Sequence, residues 1–179
     1  MSDLDLSAST GPRTVPTHVA EPGGVVSSTD PNAVLATPAI GATLAIALVE
    51  PGVVAGIAHF VLPDSGIDPA RAREEPGLFA DTAFRELWDR IHPAVREASA
   101  VRLYLVGGAD AECSTGAKNH VALGARNVTA AELAVASARL GLYAERVGGA
   151  CSRRIVIEVG TGAARIAESP KPLGGPPCT

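Results

Sequence analysis

Ala39-Ile40-Gly41-Ala42-Thr43-Leu44-Ala45-Ile46-Ala47-Leu48-Val49-Glu50-Pro51-Gly52-Val53-Val54-Ala55-Gly56-Ile57-Ala58-His59-Phe60-Val61-Leu62 is the stretch on which the fold turns. It is almost wholly apolar and long enough to cross a bilayer as one helix. Glu50-Pro51-Gly52 interrupts it near the middle, and His59 follows. A membrane helix would have to bury that carboxylate and lose backbone hydrogen bonds at the proline. Two buried strands, residues 44–49 and 53–62, joined by a turn, explain the same residues at lower free energy. The first of these is also compatible with the start of a helix. Membrane insertion is not expected.

Working outward, Val25-Val26 and Val34-Leu35 read as short strands around a turn at Asp30-Pro31. Residues 78–91 read as a helix, because Phe84, Leu87, Trp88 and Ile91 recur at helical spacing, with Pro93 ending it. Residues 101–106 are strand-like and stop at Gly107-Gly108, after which a polar loop runs through residues 114–119. Thr129-Ala130-Ala131-Glu132 has the form of a capping box ahead of a helix closing at Gly141. Residues 154–159 and 163–167, separated by Gly160-Thr161-Gly162, form a hairpin pattern. The sum is a single-domain α/β layered sandwich with a strand-rich core and at least two covering helices. Its expected span is 18–168. Residues 1–17 and the Pro/Gly-rich residues 169–179 are expected to be disordered tails.

Composition bounds the function. The chain has 179 residues, 46% of them hydrophobic but only 3% aromatic, so the core must be built from Val, Ile, Leu and Ala. A net charge of −4 without Lys/Arg clusters argues against nucleic acid as a partner. Cys113, Cys151 and Cys178 form no CxxC pair and suit neither a disulfide framework nor a zinc site, and they read as reduced thiols. Asp3 and Asp5 precede any apolar run, the wrong charge for a secretory signal, so a cytoplasmic location is expected. His18, His92 and His120 have no metal-ligand spacing.

Several blocks together resemble one family. Thr37-Pro38-Ala39-Ile40-Gly41-Ala42-Thr43-Leu44 and Gly56-Ile57-Ala58-His59-Phe60-Val61-Leu62-Pro63 are similar to the catalytic core of CheD proteins, which reads roughly T-L-G-L-G-S-C-V and G-x-A-H-x-x-L-P. Leu62-Pro63-Asp64-Ser65, Phe79-Ala80-Asp81-Thr82-Ala83, Gly107-Gly108-Ala109, Leu123-Gly124-Ala125-Arg126-Asn127 and the later Gly148-Gly149 and Thr161-Gly162 follow the family's order. The resemblance runs from about residue 19 to 166. It implies a compact α/β sandwich that hydrolyses chemoreceptor glutamine side chains to glutamate and also binds CheC-type phosphatases. It implies no metal or organic cofactor.

Carried over residue by residue, the resemblance puts His59 at the base position and Thr37 at the third, orienting position. Thr43 falls where the family has its nucleophilic cysteine, and Pro38, Ala39 and Ala42 depart from the pattern beside it. A thiol suits acyl transfer because it ionises near pH 8.5, lower beside a histidine. A threonine hydroxyl is far less acidic, and its methyl group crowds the attack. Two roles stand for the chain: an impaired deamidase, or a catalytically inactive binding protein that docks chemoreceptor cytoplasmic domains or a CheC-type phosphatase. Arg126 and Asn127 are candidate substrate contacts, with a turn-stabilising role as the alternative for Asn127. Asp81 reads as a helix-start residue favoured by the dipole.

Overall fold

A computed structural model describes residues 15–110, 122–136, 138 and 140–172, the side chains of 170–172 excepted. The apolar stretch is two strands, β4 (Leu44–Glu50) and β5 (Val54–Phe60), every residue of both buried. They pair antiparallel from Leu44↔Phe60 to Glu50↔Val54. Among the described residues no helix is long and apolar enough to cross a membrane.

Three strands precede them: β1 (Thr17–Val19), β2 (Gly24–Ser28) and β3 (Val34–Ala36). Two helices, α1 (Pro69–Glu74) and α2 (Ala80–Ile91), lead to β6 (Arg102–Gly107). Helix α3 (Leu123–Ala136) and strands β7 (Leu142–Val147), β8 (Cys151–Glu158) and β9 (Ala163–Pro172) complete the domain. One sheet has the order β2-β5-β4-β6-β7 and the other β1-β3-β8-β9. Both are mixed: β6–β7 and β1–β3 are parallel, the remaining pairs antiparallel.

Strand alternation explains why β4 is buried on both faces. Leu44, Ile46 and Leu48 point towards the helices, meeting Ala83, Leu87 and Ile91 of α2 and Ala131 of α3. Ala45, Ala47 and Val49 point the other way, against Leu35, Ile155 and Ile157 of the second sheet. The molecule is thus a layered α/β sandwich: helices, five-stranded sheet, four-stranded sheet. Gly56 lets α2 lie close, since a Cβ there would meet Leu87 Cδ1 at 2.6 Å.

The expected strands at 25–26, 34–35, 101–106, 154–159 and 163–167 and the helix at 78–91 all have counterparts, shifted by a few residues at their ends. Three elements escaped: β1, β7 and α1. The last carried a readable signal, because Asp68 caps it by accepting the Arg71 N–H and Pro69 follows at the first helical position. The capping box at Thr129 is not where α3 begins; the helix starts at Leu123 and ends at Ala136. Its first amides are capped from a distance, Gly124 N–H and Ala125 N–H donating to the two Asp110 carboxylate oxygens at 2.8 and 2.9 Å. A carboxylate at a helix N-terminus satisfies donors that would otherwise be orphaned. The domain also extends past the expected boundary at 168, since β9 runs to Pro172. The expected loop at 114–119 and most of the two tails lie outside the described residues.

Candidate active site

Thr43 stands one residue before β4, and His59 is the penultimate residue of β5, in register with Ala45. Antiparallel pairing therefore brings the two side chains to the same end of the strand pair. Thr43 Oγ1 lies 2.8 Å from His59 Nε2. The other ring nitrogen, Nδ1, lies 3.0 Å from the Ala20 carbonyl oxygen. A carbonyl can only accept, so the hydrogen sits on Nδ1 and Nε2 is left with its lone pair. Thr43 must then donate its hydroxyl proton to Nε2. A hydroxyl donating to an imidazole that is itself bonded from behind is a geometry that can serve a nucleophile and a general base.

The electrostatics agree. His59 is 1% exposed, and burial pulls its pKa below the ordinary histidine value; the Ala20 hydrogen bond and the charge of Glu21 oppose that fall. The ring is therefore neutral near pH 7, as a base must be. Thr43 is only half-buried, so its hydroxyl can be reached from outside.

Glycines hold the Thr43 main chain. Gly108 N–H donates to the Thr43 carbonyl at 2.7 Å and Ala109 N–H to the Gly41 carbonyl at 2.9 Å. Gly107 has φ of +122°, and a Cβ there would sit 2.5 Å from the Thr43 oxygen. Any side chain at 107 would push this loop away.

Thr37 lies elsewhere in the bonding scheme. Its buried hydroxyl oxygen accepts the Ile155 N–H of β8 at 3.2 Å, while the back of the imidazole is engaged by Ala20. The orienting group seen here is a main-chain carbonyl, which no side-chain pattern in the sequence could reveal.

Arg126 is exposed on α3 and lines a groove of about 670 Å³ with Pro63, Asp64, Asp81 and Leu133. Thr43 and His59 are not among the residues lining it. Asp81, in the first turn of α2, accepts from Ser65 N–H (3.1 Å) and Ser65 Oγ–H (2.6 Å), fixing the rim. Asn127, next to Arg126, faces inward and is completely buried. Its Nδ2 donates to the Ala42 carbonyl at 2.9 Å and the Val61 carbonyl at 3.0 Å. It lies inside α3, which removes the reading of a residue stabilising a turn before the helix.

Cys151 is buried and disulfide-bonded, correcting the expectation of a reduced thiol. Cys113, Cys178 and His120 lie outside the described residues. His18 is exposed on β1, and His92 packs against Trp88 with ring centroids 5.3 Å apart. Among the described residues no three His, Cys, Asp or Glu side chains are grouped to hold a metal ion.

The sequence profile described as "CheD chemotactic sensory transduction" matches residues 61–168, a segment that begins just past His59. The chain is 35% identical over 144 residues to a protein of Solibacter usitatus named "Probable chemoreceptor glutamine deamidase CheD", covering 79% of this chain and 82% of that one. It is 33% identical over 141 residues to "Probable chemoreceptor glutamine deamidase CheD 2" of Anaeromyxobacter dehalogenans (78% and 87% covered). Against "Chemoreceptor glutamine deamidase CheD" of Thermotoga maritima the identity is 30% over 130 residues (72% and 78% covered). With this coverage on both sides, and a fold of the expected layered form, the chain belongs to the CheD family.

Proposed function

We propose that this protein acts on the cytoplasmic domains of chemoreceptors as a CheD-type glutamine deamidase whose reaction is slowed because Thr43 stands at the nucleophile position. The observation that carries the reading is the 2.8 Å contact between Thr43 Oγ1 and the lone pair of His59 Nε2. In the reaction, Thr43 Oγ bonds to the amide carbon of a glutamine side chain while His59 Nε2 takes the hydroxyl proton. His59 returns that proton to the departing nitrogen, which leaves as ammonia. Water, deprotonated by His59 Nε2, then attacks the ester carbon, and His59 returns that proton to Thr43 Oγ as the ester bond breaks, giving glutamate and restoring Thr43. Each step can be written with serine or threonine. The rate suffers because the alcohol is far less acidic than a thiol and the β-methyl group hinders attack.

A second reading has its own support. The groove beside Arg126, with Leu133 71% exposed in its wall, offers a docking surface that needs no chemistry at Thr43. A protein that only binds chemoreceptors, or a CheC-type phosphatase, would use that face. In this reading either role is played in the cytoplasm, with the Cys151 disulfide persisting against reduction.

The test is mass spectrometry of a chemoreceptor cytoplasmic fragment incubated with the native protein and with Thr43→Cys. Slow glutamine-to-glutamate conversion by the native form and fast conversion by Thr43→Cys is the expected result. Tight binding with conversion by neither form would replace the enzymatic reading with the binding one.

A further inference from the structure

Asn127 makes contacts that neither the hydroxyl–imidazole pair nor the groove accounts for. Its single Nδ2 donates to carbonyls on two different segments. Ala42 supplies the carbonyl of the peptide bond leading into Thr43, and Val61 lies two residues past His59. Its Oδ1 is buried as well and has no hydrogen-bond partner among the described residues. An unpaired buried acceptor is unfavourable, and an apolar side chain of similar volume would avoid it. Space-filling therefore does not explain the carboxamide. Its planar nitrogen offers two N–H bonds in fixed directions, which suits it to bridge two carbonyls at once.

The position matters because the β4–β5 ladder begins at Leu44↔Phe60. His59 sits within that ladder, whereas Thr43 lies just beyond it. The peptide after Thr43 is held by the Gly108 N–H on its carbonyl. The peptide before it, through the Ala42 carbonyl, is held by Asn127. Among the described residues, no other side-chain hydrogen bond besides the Thr43–His59 contact ties residues 41–43 to residues 59–62.

We infer that Asn127 is a positioning residue: bridging the Ala42 and Val61 carbonyls, it sets the distance and alignment between the Thr43 side chain and His59 Nε2. It does not touch substrate. The inference rests on Thr43 and His59 being the reacting pair, and misplacing either by a fraction of an ångström is enough to spoil such a pair.

The test needs no receptor. In Thr43→Cys protein, peptide-by-peptide mass spectrometry follows alkylation of the introduced thiol by iodoacetamide across pH. With His59 beside it, the thiol should titrate below its ordinary value near 8.5. Adding Asn127→Ala should move that midpoint back up and slow alkylation at pH 7 about tenfold, while adding Leu87→Ala, a core truncation under α2, should leave the midpoint in place. An unchanged midpoint in folded Asn127→Ala protein overturns the inference, as does an equal shift with Leu87→Ala. If Asn127→Ala does not fold, native protein decides by NMR. Two slowly exchanging Asn127 Nδ2 protons support the bridge, and freely exchanging ones overturn it. Thiol titration that depends on Asn127 in a protein that deamidates no receptor would leave the positioning role standing and sink the deamidase reading alone.

Discussion

The two ends of the β4–β5 pair each bury a polar side chain, and they use it in opposite ways. At one end Glu50 is 5% exposed, and its carboxylate oxygens accept the Arg96 and Glu97 N–H groups at 2.8 and 3.1 Å. Both oxygens are committed to main-chain donors, so the residue anchors the segment leading into β6. At the other end His59 is buried as deeply, but only one nitrogen is committed, to Ala20. The second is aimed at a half-exposed hydroxyl. Burial of a polar group in an apolar strand pair thus does not by itself mark a reactive site. What marks it is a bonding position directed at a group that a substrate can reach.

Substitutions at the two ends should separate these roles. The largest effect is expected from His59→Ala in the Thr43→Cys protein, where loss of the base should slow receptor deamidation by about 10²–10⁴-fold, read by mass spectrometry. Glu50→Ala in the same protein should leave the rate within about twofold. Its effect should fall on stability, about 2 kcal/mol lost in urea unfolding, because two partly buried N–H groups lose their acceptor. A rate loss at Glu50 matching that at His59 would erase the contrast between the ends.

The pH dependence follows from His59. Burial lowers its pKa in the folded state, so the unfolded chain binds the proton more readily. The stability this confers is full above the ordinary value near 6.5 and is lost as pH falls through the lower folded value. Native protein should therefore lose more stability between pH 7 and pH 5 than His59→Gln does, and the His59 ring should titrate below 6.5 by NMR. A midpoint at or above 6.5 would show that burial does not dominate the surroundings of the ring. The smallest effect is expected at Arg126→Ala. It should change stability by less than about 0.5 kcal/mol, as exposed substitutions do, while weakening retention of a receptor fragment.

Much of the scaffold could be read in advance because it rests on local patterns. The Glu50-Pro51-Gly52 break turned one apolar run into two strands, and helical spacing of Phe84, Leu87 and Ile91 marked the face that α2 buries. Strand β7 was missed because its residues, Leu142-Tyr143-Ala144-Glu145-Arg146-Val147, do not alternate cleanly at the edge of a parallel pairing. Helix α3 begins earlier than the Thr129 box suggests because its cap, Asp110, is distant in the chain and forms no local motif. At the site, Thr43 and His59 were singled out by resemblance to the family, and their contact is what antiparallel register delivers.

The sequence by itself determined which residues must be buried and which family the chain resembles, since hydrophobic spacing and ordered motifs are one-dimensional properties. Only the tertiary structure decided which nitrogen of His59 is free, because that depends on the Ala20 carbonyl, 39 residues away. It also decided that Thr37 bonds to β8 and that Asn127 faces inward across Ala42 and Val61. These are hydrogen bonds between groups far apart in the chain. Their partners include main-chain atoms common to every residue type, so they become specific only when the strands and α3 are brought together.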